Sequence, residues 1–201
     1  MPDPNNVYLP EHGIGFFGIC KNGNTSIKAA FLDSMGIRSQ HRIHDNLAFH
    51  YVTGLELAEA QGIWTFAVKR DPLTRAMSAW KNKCHRSWAD HYSKWGLARH
   101  MSFDAYVAAI AQVPDEELTG AGQHFRSQTY EFRDGWPDAV LPFEDLDEHW
   151  ATVQHRSVLE LPDLEHLNKM GIINPVVGAE ALDKLVLRYQ SDYKELGYAI
   201  P

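Results

Sequence analysis

The stretch that decides the fold is "FGICKNGNTSIKAAFL", residues 17–32, in which an apolar run is followed by a polar turn and then by a helical pattern. The apolar run, residues 14–19, has the length of a short buried strand. After the turn, Ile27, Ala30 and Phe31 recur at helical spacing. Backbone N–H groups at a helix start lack intrahelical partners and point at an anion, which the helix macrodipole also favours. The stretch therefore predicts a strand, a turn and a helix whose N-terminus binds an anion.

The side chains of the turn fit an anion site, because Lys21 adds a cation and Thr25 and Ser26 add hydroxyl donors. A Walker loop would require Gly-Lys-Ser/Thr, and no such tripeptide occurs here, which disfavours an ordinary ATP or GTP site. A purely structural turn, in which Thr25 or Ser26 only caps the helix, stays open at this point.

Length and composition indicate an ordinary globular protein. The 201 residues are 44% hydrophobic and 22% charged, which predicts one domain over residues 1–201. The N-terminal stretch is polar and no apolar run approaches membrane-spanning length, so we expect neither a signal peptide nor a membrane anchor. The two cysteines, Cys20 and Cys84, form no disulfide framework and no metal-ligand pattern, so we expect a cytoplasmic protein that requires no metal.

Charge is distributed unevenly along the chain. The formal net charge is −7, yet residues 1–100 carry net +4 and residues 101–201 carry net −11. A cationic half is compatible with an anionic ligand, whereas the acidic chain as a whole argues against a nucleic-acid partner. Nothing in the sequence fixes the oligomeric state.

Alternating strand and helix patterns predict an α/β protein. Beyond the opening unit we expect short strands at residues 41–44 and 139–141, a strand at residues 63–69, and helices at residues 54–62, 72–88, 101–114, from 146 onward and 179–198. This order predicts a P-loop-like three-layer α/β/α fold with a central parallel sheet. In such sheets ligands bind at the carboxyl ends of the strands, where "KNGNTS" and "KRDP" both fall.

The second loop carries a phosphate-binding combination of its own. Arg70 follows the strand directly, and Ser78 lies two turns into the helix that begins at Pro72. A guanidinium binds phosphate through two parallel hydrogen bonds, and a serine hydroxyl completes the contact. Taken alone, the loop also fits a surface pair of Arg70 and Asp71 ahead of a helix-starting proline.

Together the two loops resemble the nucleotide-binding motifs of the sulfotransferases. "KNGNTS", within residues 20–27, is similar to their 5′-phosphosulfate loop, and "VKRDPLTRAMSAWKNK", residues 68–83, is similar to their 3′-phosphate motif. The stretches "GQHFRSQ", "LPFEDLDEHW" and "HLNKM…LRYQSDYKELGY" resemble the membrane-associated carbohydrate branch, so that the resemblance spans about residues 14–198. Cys20 replaces the proline that often precedes the loop lysine, and the short chain resembles a soluble bacterial or phage-type member.

The resemblance implies sulfuryl transfer from 3′-phosphoadenosine 5′-phosphosulfate (PAPS) to a hydroxyl or amine, with a carbohydrate as the expected acceptor and no metal required. Lys21 would donate to the bridging oxygen of the leaving group. The residues expected to hold the nucleotide are Lys21, Asn22, Gly23, Asn24, Thr25 and Ser26 at the 5′ end, Arg70 and Ser78 at the 3′-phosphate, and Lys169 in a loop that closes over it.

The acceptor also needs a general base, for which histidine is the natural residue type. We place two candidates first: His124, which lies in a family-like element, and His50, which lies between the two loops, where sulfotransferases often keep their base. His44, which also lies between the loops, and Asp45 are further candidates. Two other functions remain open. One is a P-loop-type small-molecule kinase, and the other is a nucleotide- or glycan-binding domain without catalytic activity.

Overall fold

The computed structural model describes residues 3, 5–37, 43–44, 46–165, 167 and 175–201. The chain divides into two compact units, one drawn from residues 1–70 and 131–170 and the other from residues 71–130 and 171–201. A single sulfotransferase domain over residues 1–201 stays a prediction.

A five-stranded sheet in the order β3-β1-β2-β4-β5 forms the centre of the first unit. Its strands are β1 (Val7–Leu9), β2 (Ile14–Phe17), β3 (His50–Tyr51), β4 (Trp64–Lys69) and β5 (Ala139–Pro142). Strands β2, β4 and β5 run parallel, as predicted, whereas β1 runs antiparallel to both β2 and β3.

The sheet is therefore mixed, and the prediction of a wholly parallel sheet is wrong at β1. The physical reason is the short connection between β1 and β2, a single 3₁₀ turn at Pro10–His12. A connection this short joins antiparallel neighbours, because parallel strands need a crossover of a dozen residues or more. The mixed α/β character is confirmed, and the P-loop-like layering stays a prediction.

Three α-helices lie among the described residues of the first unit: α1 (Asn24–Ser34), α2 (Gly54–Ala58) and α5 (Leu146–Arg156). Helix α1 buries Ile27, Ala30 and Phe31, the residues whose spacing predicted it. Phe31 packs edge-on against Phe16 of β2 with 6.4 Å between the ring centroids. This packing fixes α1 against the sheet immediately after the turn.

The second unit is helical over its described residues. Its helices are α3 (Pro72–Trp80), which continues into a π-helical turn at Lys81–Arg86, α4 (Phe103–Ile110), α6 (Ala179–Arg188) and α7 (Gln190–Glu195). Trp80 and Cys84 are buried in its core. The predicted single helix at residues 179–198 is instead divided at Tyr189, whose φ of −110° and ψ of 27° interrupt the helix.

One predicted strand is not found where the structure can test it. Ile43 and His44 lie outside any strand, and residues 41 and 42 fall outside the described residues. Among the described parts of the chain, no helix is both long enough and apolar enough to cross a lipid bilayer.

Candidate active site

The site is built on the turn between β2 and α1. Gly23 is the N-cap of α1 with φ of +85°, a left-handed conformation that glycine adopts without steric cost. In the described structure no side chain caps this helix, and its first turn contains no acidic residue. The alternative in which Thr25 or Ser26 caps the helix is therefore wrong. The first backbone N–H groups of α1 keep the arrangement that binds anions.

The hydroxyls of the first turn face other segments of the same unit. Thr25 Oγ1 lies 3.1 Å from His44 Nε2. Ser26 Oγ accepts a hydrogen bond from the backbone N–H of Leu167 at 3.2 Å. The helix start is thus adjacent to one of the predicted general bases and to the segment that precedes Lys169 in sequence.

Lys21 has an unusual backbone conformation, with φ of +76°. A left-handed conformation is sterically unfavourable for a residue with a side chain, and it persists where the surroundings impose it. Two contacts impose it here. Arg70 Nη1 donates to the Lys21 carbonyl at 3.0 Å, and the fully buried Asn22 donates through Nδ2 to the Val68 carbonyl at 2.7 Å.

Arg70 links the two predicted loops. It follows β4, the neighbour of β2 in the sheet, so the carboxyl ends of both strands meet at one edge. Its guanidinium carbon lies 4.4 Å from the centroid of the Phe143 ring, and the Phe143 N–H donates to the Lys69 carbonyl at 2.7 Å. The structure therefore brings the Arg70 guanidinium, which lies on the Phe143 ring, against the backbone of Lys21, as the strand-end argument predicted.

Of the other predicted site residues, His50 belongs to the first unit, and Ser78 and His124 belong to the second. His50 is exposed on the edge strand β3 and pairs with Tyr8 of β1. Tyr8 in turn pairs with Gly15 of β2, so His50 lies toward the end of β2 that is opposite to the loop. Ser78, on α3, and His124, at the end of a 3₁₀ helix, are half-buried residues of the second unit. Asp45 and Lys169 fall outside the described residues.

The elements "HFRSQ" and "RYQSDY" pack together inside the second unit. The buried Asp192 carboxylate accepts hydrogen bonds from the backbone N–H groups of Gln128 and Thr129, each at 2.9 Å. Burial raises the pKa of Asp192, while the nearby Arg75 cation and these hydrogen bonds oppose the rise. Tyr189 donates through its hydroxyl to the Phe125 carbonyl at 2.9 Å. Both stretches thus have a structural role in the core of this unit.

Three residues near the loop escaped the sequence analysis: Asn5, Asn6 and Lys28. Asn6 Oδ1 accepts from the Gly18 N–H at 3.1 Å, directly after β2. Lys28 is fully buried on α1, and burial lowers its pKa to about 8, although the negative charge of Asp3 opposes the shift. The sequence contained one signal for Lys28, namely its position next to Ile27 on the inward face of α1. It contained no signal for Asn5 or Asn6.

The comparison with known families agrees with this geometry. The model of the family described as "Sulfotransferase family" matches residues 4–174, a span that includes both loops. No curated protein and no solved structure shows significant similarity to the chain. Among the described residues, no group of three or more histidine, cysteine, aspartate or glutamate side chains is arranged to hold a metal ion.

Proposed function

Because the chain belongs to the sulfotransferase family, we propose that it transfers a sulfuryl group from PAPS to a hydroxyl of a carbohydrate acceptor. One observation carries the proposal. The helix start at Asn24 has no side-chain cap, and Lys21 and Arg70 lie beside it at the carboxyl ends of two neighbouring strands. A helix N-terminus with two adjacent cations matches a donor that carries phosphate and sulfate groups.

Each group of residues binds a different part of the donor. The N–H groups at the start of α1 and the hydroxyls of Thr25 and Ser26 hold the 5′-phosphate. Lys21 donates to the oxygen that links phosphate and sulfate, where negative charge develops as the bond breaks. Arg70 and Ser78 bind the 3′-phosphate, which distinguishes this donor from ATP. No metal enters the proposal, because lysine and the helix N-terminus supply the positive charge.

Among the candidate bases, we assign the role to His44. Its Nε2 lies 3.1 Å from Thr25 Oγ1, so that its ring adjoins the first turn of α1, where the 5′ end of the donor is to be held. A base in that position is within reach of an acceptor hydroxyl aligned with the sulfur. The pairing of β3 gives His50 no comparable support.

The expected acceptor and cellular location rest on features of the sequence. The segment Phe143–Leu146 resembles the carbohydrate branch, which supports a sugar hydroxyl. The two cysteines of the chain support a reducing compartment, so a cytoplasmic location stays a prediction. A kinase would need the Gly-Lys-Ser/Thr tripeptide that the sequence lacks.

Calorimetric titration with adenosine 3′,5′-bisphosphate (PAP), ATP and AMP tests the donor. We expect the wild type to bind the bisphosphate at least about tenfold more tightly than ATP or AMP, a difference of about 1.4 kcal/mol. Arg70→Ala and Ser78→Ala should each weaken bisphosphate binding, whereas Arg133→Ala, at an exposed arginine paired with Asp134, should not. Equal binding of ATP, or no binding of any nucleotide, would overturn the proposal.

A pH profile of turnover tests the base. With His44→Gln we expect kcat to fall by about 100-fold or more, and its acidic limb to disappear, while the dissociation constant of the bisphosphate stays unchanged. The same substitutions at His50 and His124 serve as comparisons. If either of these variants loses the acidic limb and His44→Gln keeps it, the base is that residue instead.

A further inference from the structure

The segment before β1 touches both sides of the loop that carries Lys21. We call its residues Asp3, Asn5 and Asn6 the amino-terminal brace. Asn6, buried, accepts from the Gly18 N–H at 3.1 Å where β2 ends. Asn5 Oδ1 accepts from Cys20 Sγ at 3.8 Å and from Asn24 Nδ2 at 3.4 Å. The brace thus spans the loop from the end of β2 to the first residue of α1.

Hydrogen bonds within the brace orient the Asn5 amide. Asp3 Oδ1 accepts from the Asn5 backbone N–H at 2.8 Å and from Asn5 Nδ2 at 3.0 Å. Because Nδ2 donates to Asp3, Oδ1 is the atom that faces Cys20 and Asn24. The Asp3 backbone N–H donates to the Val52 carbonyl at 3.2 Å, which ties the brace to the residue after β3.

The brace and the loop are also in close steric contact. A Cβ atom on Gly18 would lie 2.1 Å from the backbone oxygen of Asn5. A non-bonded carbon and oxygen cannot come that close, so the contact between the backbones of Asn5 and Gly18 requires glycine at position 18. The loop therefore begins in a place that the brace defines.

Lys28 supports the brace from the interior. Its side chain is fully buried on α1, with Nζ 5.3 Å from the ring centroid of Tyr51 and 5.9 Å from that of Phe49. The Asp3 carboxylate favours its protonated form. By the same electrostatic attraction the buried cation stabilises the Asp3 carboxylate, which orients Asn5, at the desolvation cost of the charge.

We propose that Asn5 is a positioning residue for sulfuryl transfer, because it holds both sides of the loop that carries Lys21. The inference rests on the function proposed above. Asn5 acts through Cys20 and Asn24, its hydrogen-bond donors, and these flank the left-handed Lys21 and the start of α1. Loss of the Asn5 acceptor lets the loop relax from the conformation that aims Lys21 at the breaking bond. Turnover should suffer more than nucleotide binding, since the lysine contact strengthens as charge develops.

Asn5→Ala tests the inference with three measurements on the intact chain: kcat per bisphosphate-binding site, the dissociation constant of the bisphosphate, and the reaction rate of Cys20 with a disulfide reagent. We expect kcat to fall by about 10- to 100-fold while the dissociation constant changes by less than about threefold. Cys20 should react faster, and because Cys84 is fully buried the fast phase reports Cys20 alone.

Two further variants separate positioning from general destabilisation. The double exchange Asp3→Asn with Asn5→Asp keeps one carboxylate and one amide in the brace, and we expect it to recover most of the lost kcat. Gln154→Ala removes a comparable amide hydrogen bond, that from Nε2 to the Leu161 carbonyl at 2.9 Å, and should leave kcat unchanged.

Each outcome is decisive. A kcat per binding site within twofold of wild type in Asn5→Ala overturns the inference, as does a fall in kcat that the exchange variant does not reverse. If the wild type binds no bisphosphate, the proposed function fails. The thiol measurement then still decides whether Asn5 holds the loop, and an unchanged Cys20 rate shows that it does not.

Discussion

Replacing Lys28 by methionine should stabilise the protein and slow its reaction. The lysine side chain is fully buried, and burial lowers its pKa from 10.5 to about 8, although the negative charge of Asp3 opposes the shift. Since a pKa unit corresponds to about 1.4 kcal/mol, the buried charge costs about 3 kcal/mol of folding free energy at neutral pH. Methionine has a similar length and flexibility without the charge, so it should fit between the rings of Phe49 and Tyr51.

The stabilisation by Lys28→Met depends on pH, because the folded and unfolded chains bind the Lys28 proton with different affinities. Below pH 8 both the folded and the unfolded chain are protonated at Lys28, and the full cost is present. Between pH 8 and 10.5 the unfolded chain binds more protons than the folded one, so stability from this group rises with pH. The advantage of Lys28→Met should therefore shrink from about 3 kcal/mol at pH 7 to about 1 kcal/mol at pH 10.

Urea unfolding at these two pH values measures the effect. With a slope of about 2 to 3 kcal/mol per molar urea, the midpoint should rise by about 1 M at pH 7 and much less at pH 10. Other titrating groups, such as the buried Cys84, are common to both proteins and cancel in the difference. Lys184→Met, at a half-exposed lysine paired with Glu180, should change the midpoint little at either pH. A methionine variant that is less stable at pH 7, or equally stabilised at both pH values, would refute the reasoning.

Three further predictions concern close packing, a buried carboxylate and metal dependence. Gly18→Ala should destabilise the protein by about 1 to 3 kcal/mol in urea unfolding, because its Cβ would lie 2.1 Å from the Asn5 carbonyl oxygen. Gly54→Ala is the control, because a Cβ there would have no contact closer than 3.4 Å. Equal destabilisation by the two substitutions would contradict the close contact between Gly18 and Asn5. Asp192→Asn should cost about 3 kcal/mol, because it turns an amide donor toward the Gln128 N–H, and a loss below 1 kcal/mol would contradict this role. Turnover with PAPS should be the same with and without a chelator; a loss of activity that added magnesium restores would contradict metal-free sulfuryl transfer.

Local sequence patterns predicted the elements of the fold well, because they report what each segment buries. The apolar run before Gly18 forms β2, Ile27 and Phe31 lie on the buried face of α1, and the helix predicted at residues 101–114 contains α4. Strands β1 and β3 are short and lie at the antiparallel side of the sheet, where a few residues carry no clear periodicity. The division at Tyr189 likewise leaves the apolar pattern of the sequence unchanged.

For the site, the sequence predicted what depends on strand order and missed what depends on distant segments. Lys21 and Arg70 follow adjacent parallel strands, so the strand-end rule was sufficient to bring them together. The position of His44 beside Thr25 depends on how an irregular segment folds back. The contact of Asn5 with the loop depends on the antiparallel strand β1, which no local sequence pattern predicted. Such long-range placements require the three-dimensional structure.

The most direct test of the account is a turnover measurement with PAPS and a panel of sugar acceptors, on the wild type and on Lys21→Ala, with bisphosphate binding measured on the same samples. The account predicts that the wild type forms bisphosphate and sulfated acceptor in equal amounts. It predicts that Lys21→Ala binds the bisphosphate nearly as well but turns over at least about 1,000-fold more slowly. A kcat near that of the wild type in Lys21→Ala, or formation of ADP from ATP by the wild type, would contradict it.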